Sequence, residues 1–183
     1  MFLNSRQNSF IFNFPKGFFP KAVEEKYRGY LDRMPQPFDT VREFMNHTIQ
    51  SVTFPTIATY PTADQVRTTG FIQRYKNATN IQNLISREFT VTFKLVEGYL
   101  NYWILFESMV DYYDFKNPNQ YLPSIPLRLL DNDGVMMTSV IFNEVLITGM
   151  GALNLNYSST TPQFSTFTAN FKCNSVEIKL EIG

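Results

Sequence analysis

The chain holds one histidine, His47, and one cysteine, Cys173, so nucleophilic or metal chemistry would have to be built around them. A Cys–His pair would use Cys173 as the thiolate. Cys173, however, falls on the apolar parity of an alternating segment, where a thiol is buried and inert. His47 lies within a helical segment with no cysteine nearby, the position of a surface or capping histidine. Zinc would need ligands mostly from carboxylates, and no cluster of them stands out. Asp131-Asn132-Asp133-Gly134 places oxygen ligands ahead of a glycine, as a calcium loop does. It is too short for that loop and joins two strand-like segments, so it reads as a hairpin turn. Gly149-Met150-Gly151 lacks the third glycine and following helix of a dinucleotide loop. Asn46-His47-Thr48, Asn77-Ala78-Thr79 and Asn156-Tyr157-Ser158 fit the glycosylation pattern, but no secretory signal precedes them. Any two acids could converge as a catalytic pair, and nothing singles out two. The expectation is a chain with no catalytic residue, no metal site and no cofactor.

Lysine plus arginine and aspartate plus glutamate both number 16, so the net charge is zero and no basic surplus advertises phosphate binding. The 183 residues suffice for one domain with a substantial core. Aromatics are 16% of residues, a load that suits a β-rich core and also subunit interfaces. A single cysteine forbids an intrachain disulfide. Residues 1–14 lack the features of a signal peptide, and the most apolar window, Leu95–Tyr113, is interrupted by Glu97, Asn101, Glu107 and Asp111. The protein is expected in a cytosol-like space, without membrane binding.

Positioning falls to the elements. Phe89, Val91, Phe93 and Leu95 alternate with Glu88, Thr90, Thr92 and Lys94, predicting a strand over 88–95. Tyr99, Trp103, Phe106, Val110 and Tyr113 then recur every three or four residues, with Tyr102 and Met109 beside them. That spacing predicts a helix over about 96–114 packing this stripe inward. A strand over 127–130, the turn at 131–134 and a long return over 135–148 follow, with a second turn at 149–151. Further strands are expected at 153–157, 166–173 and 176–182, the first two separated by a polar turn at 158–162. In the N-terminal half, Phe10, Phe12 and Phe14 suggest a strand, residues 20–33 a helix, and 39–50 a second helix capped by Asp39. Residues 53–60 read as extended, and 61–83 as a long polar loop with a strand near 71–75. The expected class is α+β, mainly β: an antiparallel sandwich or open barrel with one packed central helix. Residues 1–183 form a single domain in this reading, with 15–50 as a helical insertion.

The segment Arg87-Glu88-Phe89-Thr90-Val91-Thr92-Phe93-Lys94, followed by a helix containing Tyr102-Trp103, resembles the central strand and helix of contractile phage tail tube proteins. Residues 129–134, the long strand, Ala152–Tyr157 and the Phe-rich Gln163–Phe171 resemble that family's closing β-structure. The similarity covers about residues 87–178. Gly149-Met150-Gly151 stands where the family often has an aromatic–proline pair, and residues 20–50 exceed the helical part of a plain tube subunit. Both departures leave two readings open, the repeated tube subunit and a relative such as a tube-initiating baseplate ring or another ring component of a virion.

The resemblance implies a structural virion protein forming hexameric rings that stack into the tail tube or its baseplate-proximal end, a conduit for DNA ejection. Strands of neighbouring copies would join into one inner barrel, removing edge strands. Thr90, Thr92, Thr166, Thr168 and Asn170 are then lumen-facing candidates, a neutral wall along which DNA slides. Thr62, Asp64, Gln65 and Arg67 are candidates for a ring-stacking loop. Implied partners are further copies, sheath, baseplate or adaptor proteins, and DNA passing without sequence recognition. The implied location is the virion tail, assembled in the host cytoplasm. Two other readings compete: a small-ligand-binding β-barrel, and a hydrolase using carboxylates.

Overall fold

Alternating apolar residues fix the centre of the sheet. Phe89, Val91 and Phe93 are buried on strand β5 (Glu88–Lys94), and Phe167, Ala169, Phe171 and Cys173 are buried on β8 (Thr166–Leu180). The two pair antiparallel with Phe89 opposite Phe171 and Phe93 opposite Phe167. The computed structural model describes residues 9–35, 37–57, 63–66, 70–75, 84–153 and 165–180. Its other elements are β1 (Phe10–Phe12), α1 (Lys21–Leu31), α2 (Val41–Thr48), β2 (Ile49–Thr53), β3 (Ala63–Val66), β4 (Ile72–Tyr75), α3 (Leu100–Tyr113), β6 (Ile125–Leu130) and β7 (Met136–Met150). Six strands form one antiparallel sheet in the order β1-β6-β7-β8-β5-β2, and β3 with β4 makes a separate hairpin. The fold is mainly antiparallel β with three helices, the α+β class expected.

The sheet curls because its two longest strands bend together. Along β7 the buried residues are Val140 and Phe142, then Val145 and Ile147; along β8 they are Phe171 and Cys173, then Val176. Each strand thus carries one extra residue in its alternation, and the slips face each other across the ladder, between Asn143 opposite Ser175 and Val145 opposite Cys173. Glu144 takes the left-handed conformation there (φ 52°), and its carboxylate accepts from Asn174 Nδ2 at 2.8 Å. Such paired irregularities turn a sheet corner while keeping the apolar residues inside. Phe12 of β1 consequently meets Phe89 of β5, ring centroids 6.4 Å apart, although the strands are not neighbours in the sheet. Phe89 also stacks on Phe142 (4.2 Å) and Phe171 (5.1 Å). Phenylalanine therefore fills the inside of the nearly closed barrel.

The helices close the remaining side. Val23, Tyr27 and Leu31 of α1 and Val41, Phe44 and Met45 of α2 are buried, over a cluster of Phe14, Phe18 and Phe19. Lys26 of α1 donates to Glu107 of α3 at 2.5 Å.

Several local expectations need correction. The cap of α2 is Thr40, whose hydroxyl accepts from Glu43 N at 3.1 Å, not Asp39, which lies one residue too early for the bond. The residues expected to end that helix, Ile49 and Gln50, already belong to β2; of the segment expected to be extended, Thr53 ends β2, Ile57 makes an isolated antiparallel bridge with Ile85, and residues 58–60 lie outside the described residues. Residues 149 and 150 continue β7 instead of turning, since Gly149 pairs with Asn170 and Met150 with Ala169. The two closing strands are one, running without a break from Thr166 to Leu180. The 131–134 turn stands: Gly134 alone of the Asp–Gly pair has positive φ (84°), and Asp131 Oδ1 accepts from the N–H of Asp133 and of Val135. Within the long loop, β3 accompanies the strand expected near 71–75. The strand at 153–157 and the turn at 158–162 lie outside the described residues, except Leu153, which is in no strand.

Candidate functional site

The largest departure from expectation is the face that α3 presents. Asn101, Ile104, Leu105 and Ser108 are its buried residues. The stripe expected inward, Tyr99, Trp103, Phe106, Val110 and Tyr113, is 38% to 59% exposed. Beneath α3 the barrel already supplies aromatic bulk, and aliphatic and small side chains fit against it; Tyr102 reaches in edge-on to Phe167 (5.3 Å), and Met109 and Tyr112 also pack partly buried against the core. Asn101 locks the entry to the helix: its Nδ2 donates to Lys94 O at 2.7 Å and its Oδ1 accepts from Val96 N at 3.3 Å. Gly98 (φ 72°) and Tyr99 (φ 56°) make the reversal that sends α3 back along β5 and β8. At its far end, the Tyr113 hydroxyl donates to the carbonyl of Ile147 on β7. The helix thus buries one face and leaves an aromatic face exposed in the single chain.

A second surface has the opposite character. Thr90 lies opposite Asn170, Thr92 opposite Thr168, and Thr166 opposite Lys94, so all five lumen candidates share the outward face of one half of the sheet. Ser51 pairs with Thr92 and Thr53 with Thr90, adding β2 to the same face. Thr90 Oγ1 donates to Asn170 Oδ1 (3.0 Å), and Thr148 Oγ1 to Asn170 O (3.1 Å). At one end Lys172 and Glu88 neutralise each other at 2.8 Å. Gly151 closes the face: a side chain there would sit 2.8 Å from Thr168 Oγ1, while its own N–H donates to Thr168 O at 2.7 Å. This hydroxyl-rich face is bounded by two open edges among the described residues. β2 pairs only with β5, and β7 beyond its bridge to Leu122 at Val145 pairs only with β8.

Of the stacking-loop candidates, Asp64 and Gln65 are on β3, opposite Arg74 and Gln73 of β4, while Thr62 and Arg67 lie outside the described residues. Val66, Phe71 and Ile72 on this hairpin are 57% to 76% exposed. His47 is exposed in the last turn of α2, its ring 5.2 Å from Phe38. Cys173 is buried, and burial pushes its thiol up to about 11, against a smaller opposing pull from Arg87. The structure does not bring His47 and Cys173 together: one is on an exposed helix face, the other inside the barrel. Among the described residues no three of His, Cys, Asp and Glu could hold a metal together, and no helix is long and apolar enough to cross a membrane. An open cleft of about 680 Å³ beside the end of α3 is lined by Asp111, Asp114, Lys116 and Asn117 among others. Sequence reasoning missed Asn101 and the outward stripe.

The curled antiparallel sheet with its packed helices is a fold shared with components of contractile injection systems. A chain of the anti-feeding prophage cap, the tube-terminating cap, superposes with a TM-score of 0.56 at 11% identity, covering 98% of this chain and 93% of that one. A chain of the anti-feeding prophage baseplate gives a TM-score of 0.54 at 12% identity over 100% of both chains. No protein-family model matches the sequence, and no curated protein matches it either.

Proposed function

We propose that this chain is a ring-forming structural subunit at an end of a contractile tail tube, acting by assembly and not by catalysis. One observation carries the reading: a hydroxyl-rich face, with Lys94 at one end and the Glu88–Lys172 pair at the other, lies between two strand edges that no other strand takes among the described residues, β2 and the C-terminal part of β7. Exposed edges invite random pairing unless a partner takes them, and joining sheets in a closed ring removes every edge at once. The cap and baseplate chains that share the fold favour a tube end over the repeated tube subunit.

In this reading copies assemble as hexamers, and Thr90, Thr92, Thr166, Thr168 and Asn170 line the channel. A wall made mostly of hydroxyl and amide groups, with charge confined to Lys94 and the Glu88–Lys172 pair at its ends, gives phosphates little to hold, so DNA passes without being tightly bound. Residues 1–183 act as one tail-tube-like domain, with 15–50 as a helical insertion. The β3–β4 hairpin, with Thr62, Asp64, Gln65 and Arg67, meets the next ring, and sheath, baseplate or adaptor proteins contact the outside. The particle assembles in the host cytoplasm and its tail carries the protein. A ligand-binding barrel finds less support, because phenylalanine fills the interior where a ligand would sit.

Electron microscopy of the purified chain at high concentration, with its native mass, tests the proposal. Six-fold rings or short tubes are expected. A monomer at every concentration would overturn self-assembled rings. Deleting Thr62 to Arg67 should abolish stacking and leave single rings; unchanged stacks would remove the hairpin from that role.

A further inference from the structure

We infer that the aromatic stripe of α3 is the seat for strand β2 of a second copy, so that each ring seam has a β-ladder on one side and an apolar contact behind it. The inference rests on the ring reading and adds what the seam is made of.

Three observations converge. First, the stripe adjoins an open edge. Tyr113 bonds the Ile147 carbonyl on the part of β7 that has no second strand among the described residues, so whatever pairs with that edge lies beside α3. Second, the edge that would pair there has the right direction. The half-sheet runs β7-β8-β5-β2 with every pair antiparallel, so β2 and β7 run oppositely, and rotation about an axis along the strands brings β2 antiparallel to the next β7.

Third, the levels match. Ile147 pairs with Phe171 and Phe171 with Phe89, while Thr53 opposite Thr90 puts Phe54 next in line, level with Phe89. Phe54 of one copy therefore comes level with Tyr113 of its neighbour. At the other end Ile49 is opposite Phe93, Phe93 opposite Phe167, and Phe167 touches Tyr102, one residue from Trp103. Val52 shares the inward parity of Val91, and Phe54 follows it by two, on the side where α3 lies. Phe54 and Ile57 are exposed in the single chain.

The size is also right. Taking about 200 Å² for a fully exposed large side chain, the stripe offers roughly 400–500 Å². A stable interface needs about 800 Å² from each partner. The pairing of β2 with β7 supplies the balance, so neither the helix nor the edge suffices alone.

Trp103 is the only tryptophan and sits half-exposed on the stripe, so the seam reports on itself. Its emission should shift to the blue as concentration drives assembly. A photo-crosslinker at Phe54, in a mixture of isotopically light and heavy full-length chains, should give intermolecular cross-links to residues 103–113 or 145–150. Phe54→Asp and Val110→Asp should each weaken ring formation by about tenfold or more, with the monomer's circular dichroism unchanged. Val66→Asp, on the separate hairpin, should leave ring closure intact. Rings that form with no tryptophan shift, or with Phe54 cross-linked elsewhere, overturn the seam and leave the ring reading standing. A chain that neither assembles nor cross-links overturns both.

Discussion

Asn101 is the residue on which the junction between strand and helix turns. It is fully buried, and both ends of its amide bond backbone groups of residues 94–96. Asn101→Leu keeps the volume and removes both bonds, so it should cost about 1–3 kcal/mol in urea unfolding. In the sequence Asn101 is only a polar interruption of an apolar window; its role emerges once β5 and α3 are known to meet there. Cys173 was readable, because strand parity alone puts it inside. Its thiol, normally near 9.0, is raised to about 11 by burial. The neutral form is therefore favoured in the folded state, and that contribution is complete below pH 9 and lost as pH rises through 11. The unfolding free energy of the wild type should fall relative to Cys173→Ala between those values, by up to about 3 kcal/mol. Equal slopes for both proteins would show the thiol to be hydrated.

Elements were legible wherever one face met the chain's own core. Strands β5 and β8 and the turn at Asp131 follow from alternation and turn chemistry. Periodicity located α3 but assigned the wrong face to the core, because a stripe of aromatics reads the same whether the core or another molecule covers it. The corner was also present as a slip, Phe142 to Val145 in place of strict alternation. A slip in one strand reads equally as a turn, and only the matching slip opposite identifies a bend in a continuous ladder. Glu144 bears the strain of that bend, with φ 52°. A β-branched residue tolerates this conformation poorly, so Glu144→Val should destabilise by about 1–2 kcal/mol. Glu144→Gly should fall within about 1 kcal/mol of wild type, relief of strain offsetting the lost bond to Asn174. Thermal unfolding of the two variants side by side separates backbone strain from side-chain loss. The ion pair between Lys26 and Glu107 ties α1 to α3 at the surface, and the lysine's hydrogen bond holds the Glu107 carboxyl below its usual value. Its stabilisation is present above the ordinary carboxylate range and disappears as pH falls through the depressed value. Partial exposure limits Lys26→Met to a loss of about 0.2–1 kcal/mol at neutral pH.

At the scale of the whole molecule, charge is arranged as consistently as shape. The net charge is zero, and on the hydroxyl face charge is confined to the ends, Glu88 cancelling Lys172 at one and Lys94 standing at the other. Composition could show the absence of a basic surplus, but not that Ser51, Thr53, Thr90, Thr92, Thr168 and Asn170 would align across three strands into one surface. If that surface lines a channel, its low charge should be measurable. Assembled wild-type protein should bind a short DNA duplex only weakly at physiological salt, as read by fluorescence anisotropy. Thr92→Lys combined with Thr166→Lys places cations on the same face without touching the core, so folding and ring formation should persist. The variant rings should hold DNA with an affinity that falls steeply as salt rises, since each neutralised phosphate releases counterions. Each of the two lysines repeats around the ring, so the gain should be far larger in assembled rings than in monomers. Equal binding by both would mean that the face points away from any shared lumen, and tight binding by the wild type would mean that another surface of the molecule carries the contact.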